Sequence, residues 1–314
     1  MVFEAGISIV SRSDPNVDAV VVTYNRFYKL QNCLNAIRDQ SWPVRHIHVV
    51  DNNSTDGTRE WLRANADRYG LVLHLLDHNG GGAGGFNVGL REAYASGADW
   101  VWVMDDDVLP KPESLQALTM SPFFVAHIGG EKTVGFLSSR VEWTDGNVCL
   151  MNIPVPKWPW NGSFKEMRSS LPCVSNSFVS CMVSREGIDR VGLPIKEFFI
   201  WADDTEYTRR LSYHFSCYYV DDSVVVHDTP MNRLPTYSDV NRDNLWKYKC
   251  DIRNVAAFEA RVGRKLDFFI AASYVLKNSL ASFRANKDVR ILGALLREGI
   301  RGLFWNYKTL IERP

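Results

Sequence analysis

The chain has no net charge: across its 314 residues Lys plus Arg number 36 and Asp plus Glu also number 36. That balance excludes a generally basic nucleic-acid binder, although not a local basic patch. Long apolar runs are missing too. The most apolar stretch, Phe268 to Leu276, stops after nine residues at Lys277, against the ~20 needed to span a bilayer. The first twenty residues, MVFEAGISIVSRSDPNVDAV, place Glu4, Arg12 and Asp14 among the apolar ones and lack the continuous core of a secretion signal. Cysteine is sparse and scattered, at positions 33, 149, 173, 181, 217 and 250, without a CxxC or a paired zinc-type spacing. A reduced, cytoplasmic chain is therefore expected and a disulfide framework is not. There is no internal repeat and no low-complexity linker. What remains is an ordinary globular balance, 46% hydrophobic, 23% charged and 12% aromatic, in a chain long enough for one large domain or two ordinary ones.

The first third alternates strand and helix signals. Val17 to Thr23 (VDAVVVT) is a Val-rich run of the kind buried on both faces of a parallel sheet. Phe27, Leu30, Leu34 and Ile37 then recur at helical spacing, and Pro43 ends that segment. His46 to Val50 and Leu71 to Leu76 read as further strands, with a helix over 58–69 between them. After a Gly-rich loop, Asn87 to Ala95 reads as a helix and Trp100 to Met104 as a fourth strand, ending in Asp105-Asp106-Asp107. Such alternation predicts βαβ units, a parallel sheet and right-handed crossovers. Ligands then gather at the carboxyl ends of the strands, where Thr23-Tyr24-Asn25-Arg26, Asp51-Asn52-Asn53, Asn79 to Phe86 and the triple Asp fall. Beyond residue 110 the rhythm changes. Pro- and Trp-rich stretches around 154–160 mix with strands near 134–139 and 178–183, as in an acceptor-binding half, and from about 241 the pattern is helical.

Each polar motif has a bland and a chemical reading. Three consecutive carboxylates after WVWVM repel one another. Asp105 and Asp107 point the same way in an extended chain and can share an oxygen-ligated Mg²⁺ or Mn²⁺, or the run can be a solvated turn. Gly80, Gly82 and Gly85 satisfy GxGxxG, the mark of a dinucleotide site, but they follow the third strand and the first turn has no glycine. Trp201-Ala202-Asp203-Asp204-Thr205-Glu206 is either an acidic helix start or a mouth in which one crowded carboxylate serves as general base. Glu206 and Arg210 have the i,i+4 spacing of a structural pair. His227, ending a strand-like run, is either a satisfied loop residue or a third ligand to the metal.

In order, TYNR, VVDNNSTDGT, NGGGAGGFNVG, WVWVMDDD, FFIWADDTEY and VVVHD resemble family-2 inverting glycosyltransferases of the GT-A fold over residues 17–260. The GGAGGF, DDD and WxDDxE forms are most similar to bacterial galactofuranosyl- and rhamnosyl-transferases that build cell-surface glycans, and Tyr248 with Arg253-Asn254 is similar to a segment of that subgroup. The resemblance implies a Rossmann-like, mostly parallel α/β sheet with flanking helices. It implies a GT-A catalytic domain over 1–240, with a nucleotide-sugar half (17–110) and an acceptor half (111–240), followed by a helical region, 241–314. By the same resemblance Thr23, Tyr24, Arg26 and Asp51, with Gly84, Asn87 and Asp106, contact the nucleotide-sugar donor. Asp105, Asp107 and His227 hold Mn²⁺ or Mg²⁺, Asp204 beside Asp203 is the catalytic base, and Trp201 faces the acceptor. Ala202 departs from relatives that carry Gly there. The implied reaction is a single displacement at the anomeric carbon of a nucleotide-diphosphate sugar, UDP-galactofuranose or alternatively dTDP-rhamnose, onto a glycan or lipid-linked acceptor. Readings of a different class are an NAD(P)-dependent oxidoreductase, which leaves DDD, WADDTE and His227 without a role, and a non-catalytic carbohydrate-binding protein, which has no need of these acids.

Residues 261–314 hold eleven Lys/Arg against four Asp/Glu. From Val289, Leu292, Leu296, Ile300, Leu303, Tyr307 and Leu310 form one helical stripe, with Arg290, Arg297, Arg301 and Lys308 on or beside the other side and Phe304-Trp305 adding aromatic bulk. Such a helix packs on the catalytic domain or on a second copy in a homo-oligomer, or it docks peripherally on an anionic membrane surface.

Overall fold

The computed structural model describes residues 15–158 and 170–314. The readings of the first fourteen residues and of Pro159-Trp160 lie outside them. In chain order the elements are β1 (Val17–Thr23), α1 (Phe27–Arg38), β2 (Ile47–Asp51), α2 (Thr58–Tyr69), β3 (Leu71–Leu75), α3 (Gly81–Ala95), β4 (Trp100–Asp105) and β5 (Val108–Pro110). Then come α4 (Ser114–Thr119), α5 (Pro122–Ile128), β6 (Val134–Trp143), β7 (Val155–Pro156), β8 (Ser170–Ser175), β9 (Cys181–Ser184), α6 (Arg185–Val191), α7 (Asp203–Ser212) and β10 (Ser216–His227). Three helices close the chain: α8 (Leu245–Glu259), α9 (Asp267–Asn286) and α10 (Val289–Phe304).

The strands form one mixed sheet in the order β3-β2-β1-β4-β9-β6-β10-β8-β7, with β5 against β10. Its first four strands are parallel, as the βαβ alternation requires. Val17, Ala19 and Val21 of β1 face a core completed by α1, α2, α4 and α5, while Val20 and Val22 face one completed by α3, α6 and α7. Burial on both faces is the reason the strand reads as an unbroken apolar run.

The helix expected to begin at Asn87 begins at Gly81 and takes in the glycine run. Glycine is a poor helix former, but here the run fits a close approach. A Cβ on Gly85 would lie 2.4 Å from a Val22 methyl, and one on Gly89 would lie 2.3 Å from a Val20 methyl. The small residues, at i and i+4, let α3 lie directly on β1. Of the glycines in GxGxxG, Gly85 thus serves close packing, whereas a Cβ on Gly82 would meet nothing within 4 Å.

The only charge on the apolar rungs of β1 is Asp18, fully buried. Arg45 donates to both of its oxygens, Nε to Oδ1 at 2.8 Å and Nη2 to Oδ2 at 2.7 Å, and Ser96 donates at 2.7 Å. Burial raises the carboxyl, but the bonds from Arg45, His48 and Ser96 outweigh it and hold the group well below the usual carboxylate range. A depressed folded-state pKa lends stability that is fully present above the unfolded value near ~3.9 and is lost as pH falls toward the folded one. Arg45→Ala is therefore expected to cost about 3–5 kcal/mol, the usual penalty for stranding a buried charge, as read by urea unfolding at neutral pH. A loss below 1 kcal/mol would place the pair's contribution near that of an exposed ion pair.

The carboxy-terminal helices pack on one another, on α3 and on the loop before α7 through two clusters. Ile291, Leu295 and Leu303 of α10 and Ala271 and Val275 of α9 meet Tyr248, Ile252 and Ala256 of α8. Phe198 is met by Tyr307 and Trp305, with ring centroids 5.6 Å apart in each case. The stripe read from Val289 holds at Leu303 and Tyr307, which are buried, and is corrected elsewhere: Ile291, Leu295, Gly299 and Gly302 face inward, while Val289 and Ile300 are exposed. Trp305 lies inward as well, under the Arg253 guanidinium, 4.8 Å from its carbon to the ring centroid. Among the described residues no helix is long and apolar enough to cross a membrane.

Candidate functional site

A cavity of about 970 Å³ opens at the carboxyl ends of β1 and β4. Pairing of β1 with β4 sets Val22 beside Asp105, and the Thr23 hydroxyl donates to Asp106 Oδ2 at 2.6 Å. Antiparallel pairing of β5 with β10 sets His227 opposite Val108, which delivers the imidazole to the preceding residue: His227 Nε2 lies 3.3 Å from Asp107 Oδ1. Its Nδ1 meets Asn152 Oδ1 at 2.8 Å, so a proton on Nδ1 leaves Nε2 to face the cavity. Arg26 binds the other Asp107 oxygen.

These charges are strongly perturbed. Burial, then the charge of Asp107, pushes Asp105 up to about 7. Burial also carries Asp106 to about 7 against the Thr23 bond and the Arg26 charge. Asp107 is lowered, because the His227 bond and the His227 and Arg26 charges outweigh its burial. His227 rises to about 9, its own burial being overcome by Asp107. Three carboxyl groups thus crowd one end of the cavity beside Arg26 and His227, and a donor set of carboxylates and one imidazole suits a divalent cation.

On the facing wall, α7 starts at Asp203, and both Asp203 and Asp204 line the cavity. Burial is the largest influence on each. Asp203 is driven well above its ordinary value, with Asp204 adding to the shift. Asp204 is raised too, but the Thr205 amide at 2.6 Å and hydroxyl at 3.2 Å bond its Oδ1 and favour the anion. Asp204 is thus the member of the pair better suited to carry the charge.

The loop before this pair is strained. Phe199, Trp201 and Ala202 all have positive φ, at 66°, 63° and 66°. Phe199 forms a γ-turn closed by Ile200 N–H to Phe198 C=O at 2.8 Å. Glycine adopts that left-handed geometry without cost, and Ala202 holds it with a Cβ. Two partners hold the loop. Gly81, at φ 72°, brings α3 so close that a Cβ there would sit 2.0 Å from the Phe199 carbonyl oxygen. Asn254 of α8, fully buried, donates from Nδ2 to the Phe198 and Trp201 carbonyls at 2.9 Å each and to Ile200 at 3.3 Å.

The far end of the cavity is aromatic. Trp201, Tyr237, Trp246 and Tyr248 line it together with Asp251. Trp201 and Tyr237 pack against Tyr248 with ring centroids 5.1 and 5.3 Å apart. Asp251 accepts from the Tyr237 hydroxyl and, at 2.9 Å, from that of Tyr274. The boundary drawn at residue 240 therefore runs through the cavity wall. Nothing in the local pattern marked Trp246 and Asp251, because their place depends on α8 packing against the distant loop before α7.

Of the residues expected at the donor, Thr23, Tyr24, Arg26 and Asp106 line the cavity. Three do not. Asp51 is fully buried behind the wall, bonded to Arg59 Nε at 2.8 Å and to the Ser54 amide. Asn87 donates to the Pro194 carbonyl at 2.8 Å. Gly84 is buried within α3, where Gly81 and Gly82 form the wall instead. Asp105, Asp107, His227, Asp203, Asp204 and Trp201 all line the cavity. Among the described residues, the three metal-type ligand atoms that lie within 4.8 Å of one another belong to Asp18, His46 and His48. That group sits five residues back along β1 from Thr23, roughly 17 Å away at strand rise, and its carboxylate is already neutralised by Arg45.

Residues 18–121, the segment that builds β1 to β4 and the triple Asp, match the Glycosyl transferase family 2 model. The chain carries a family-2 glycosyltransferase domain. It is 28% identical over 207 residues to the galactofuranosyltransferase GlfT1 of Mycolicibacterium smegmatis, a match covering 62% of this chain and 65% of that protein. Two solved structures share the GT-A fold of the family-2 domain. GalNAc-T7 with UDP, GalNAc and Mn²⁺ has a TM-score of 0.62 at 14% identity, covering 83% of this chain and 51% of that one. The mannosyltransferase PcManGT of Pyrobaculum calidifontis with GDP-Man and Mn²⁺ has a TM-score of 0.54 at 20% identity, covering 94% and 82%.

Proposed function

We propose that the chain is an inverting, metal-dependent glycosyltransferase that moves galactofuranose from UDP-galactofuranose to a glycan or lipid-linked acceptor of the cell surface, working at the cytoplasmic face of the membrane. One observation carries this reading: a single cavity holds the Asp107–His227 end, the Asp203–Asp204 pair and an aromatic wall. The GlfT1 likeness supports the donor.

In this account Tyr24 and Arg26 line the nucleotide side, and Asp105, Asp107 and His227 hold Mn²⁺ or Mg²⁺. The bound ion supplies charge neutralisation to the departing diphosphate. Asp204 takes the proton of the acceptor hydroxyl as that oxygen attacks the anomeric carbon from the face opposite the diphosphate, and Asp203 stays protonated beside it. Trp201, Tyr248 and Trp246 form the wall against which an acceptor sugar ring stacks. No covalent intermediate is needed, and the work of the protein is mainly positioning and electrostatics.

Incubation with a panel of nucleotide sugars and Mn²⁺ tests the reading. Released UDP from UDP-galactofuranose is expected, whereas dTDP released from dTDP-rhamnose alone would move the donor, and no release from any sugar would remove the function. Activity is expected to disappear in excess EDTA, and Asp107→Ala to abolish turnover while leaving the melting temperature near that of the parent. Full turnover in EDTA would contradict the metal's role.

A further inference from the structure

The hairpin of α9 and α10 has an unpartnered outer face. Its inner face is tightly packed: a Cβ on Gly299 would meet Val275 at 2.3 Å, and one on Gly302 would meet the Arg253 carbonyl oxygen at 2.2 Å. Outside, Leu266, Phe268, Phe269, Ile300 and Phe304 are 63, 41, 66, 52 and 70% exposed. Phe268 and Phe304 touch across the two helices, with ring centroids 5.8 Å apart, so the exposed side chains form a ridge and not isolated spots. Contiguous apolar surface of this kind marks a contact site.

The charge around the ridge has one sign. Between residues 263 and 310 every exposed charged side chain is Lys or Arg, while Asp267 and Glu298 are buried and Asp288 is half-buried against Arg242. Lys265, Lys277, Arg284, Lys287, Arg290 and Arg297 make no ion pair among the described residues, whereas Arg264 and Arg301 pair with Asp267 and Glu298.

We propose that this face docks on an anionic lipid bilayer, with the Phe and Leu side chains in the headgroup boundary and the basic side chains on lipid phosphates. A second copy of the chain is the poorer occupant, because a two-fold contact sets the same patch against itself and brings unpaired cations face to face. The docking surface and the aromatic end of the cavity share one helix: Tyr274, which bonds the cavity carboxylate Asp251, lies five residues after Phe269, about 7.5 Å along α9. Only in what it brings the enzyme to, an acceptor held at a membrane, does the proposal rest on the glycosyltransferase reading.

Co-sedimentation of the full chain with phosphatidylcholine vesicles, with and without phosphatidylglycerol, tests it without any donor. Binding is expected to anionic vesicles only and to weaken as salt is raised. Phe269→Ser/Phe304→Ser and Lys277→Glu/Arg297→Glu are each expected to lower the partition by about tenfold with unchanged melting temperature and nucleotide release. Wild-type chain that stays in the supernatant with both vesicles would overturn the proposal. So would variants that bind as the parent does, or a stable dimer that the Phe double variant dissociates. Vesicle binding by a chain that processes no nucleotide sugar would leave the docking surface standing and remove the proposed function alone.

Discussion

Asp204→Asn is expected to bind donor as the parent does and to transfer sugar about 10²–10⁴-fold more slowly, the range of a lost general base. The carboxamide has the same shape and keeps an oxygen for the Thr205 amide, so the start of α7 is preserved. What disappears is the proton acceptor. The choice between the two acids rests on their surroundings: Thr205 bonds favour the Asp204 anion, whereas Asp203 is driven well above its ordinary value by burial and by Asp204. Initial rates with saturating donor and acceptor, alongside nucleotide-sugar binding by calorimetry, separate the outcomes. If Asp203→Asn is inactive while Asp204→Asn transfers at the parent's rate, the base is Asp203.

The second large effect is expected at a residue that touches no substrate. Asn254→Leu removes the amide that holds the Phe198, Ile200 and Trp201 carbonyls, leaving strained backbone without its clamp. Stranded carbonyls cost about 1–3 kcal/mol. Because Trp201 and the acid pair follow directly, a shift near 1 Å is expected to lower kcat by about 10²-fold. A positioning role predicts a large fall in kcat with little change in donor affinity; a purely structural role predicts a lower melting temperature with kcat intact at permissive temperature.

The segment from β1 to β4 was legible because its signals are local. Val-rich runs buried on both faces, helical spacing in 27–38 and acids at a strand end needed no tertiary knowledge. Elsewhere the deciding contacts are distant in sequence. The run at Gly80 to Gly85 reads as a loop until Val22 and the Phe199 carbonyl are seen against it. The family resemblance places Asp51 at the donor, but Arg59, the second residue of α2, holds it behind the wall. In α10, apolar residues at 291, 292, 295, 296, 300 and 303 fit two overlapping stripes, and only packing on α8 chooses the one through Ile291 and Leu295. Asn254 was visible as part of a recurring segment, yet its clamp on a loop more than fifty residues earlier was not.

The central claim, direct displacement assisted by Asp204, is tested most directly by the anomeric configuration of the first product. Proton NMR of the sugar transferred from UDP-galactofuranose to a synthetic acceptor reads it before any equilibration. Direct attack from the face opposite the diphosphate predicts a product of inverted configuration relative to the donor. A product that retains the donor's configuration would require an intermediate on the enzyme or a same-face attack, and would contradict the account.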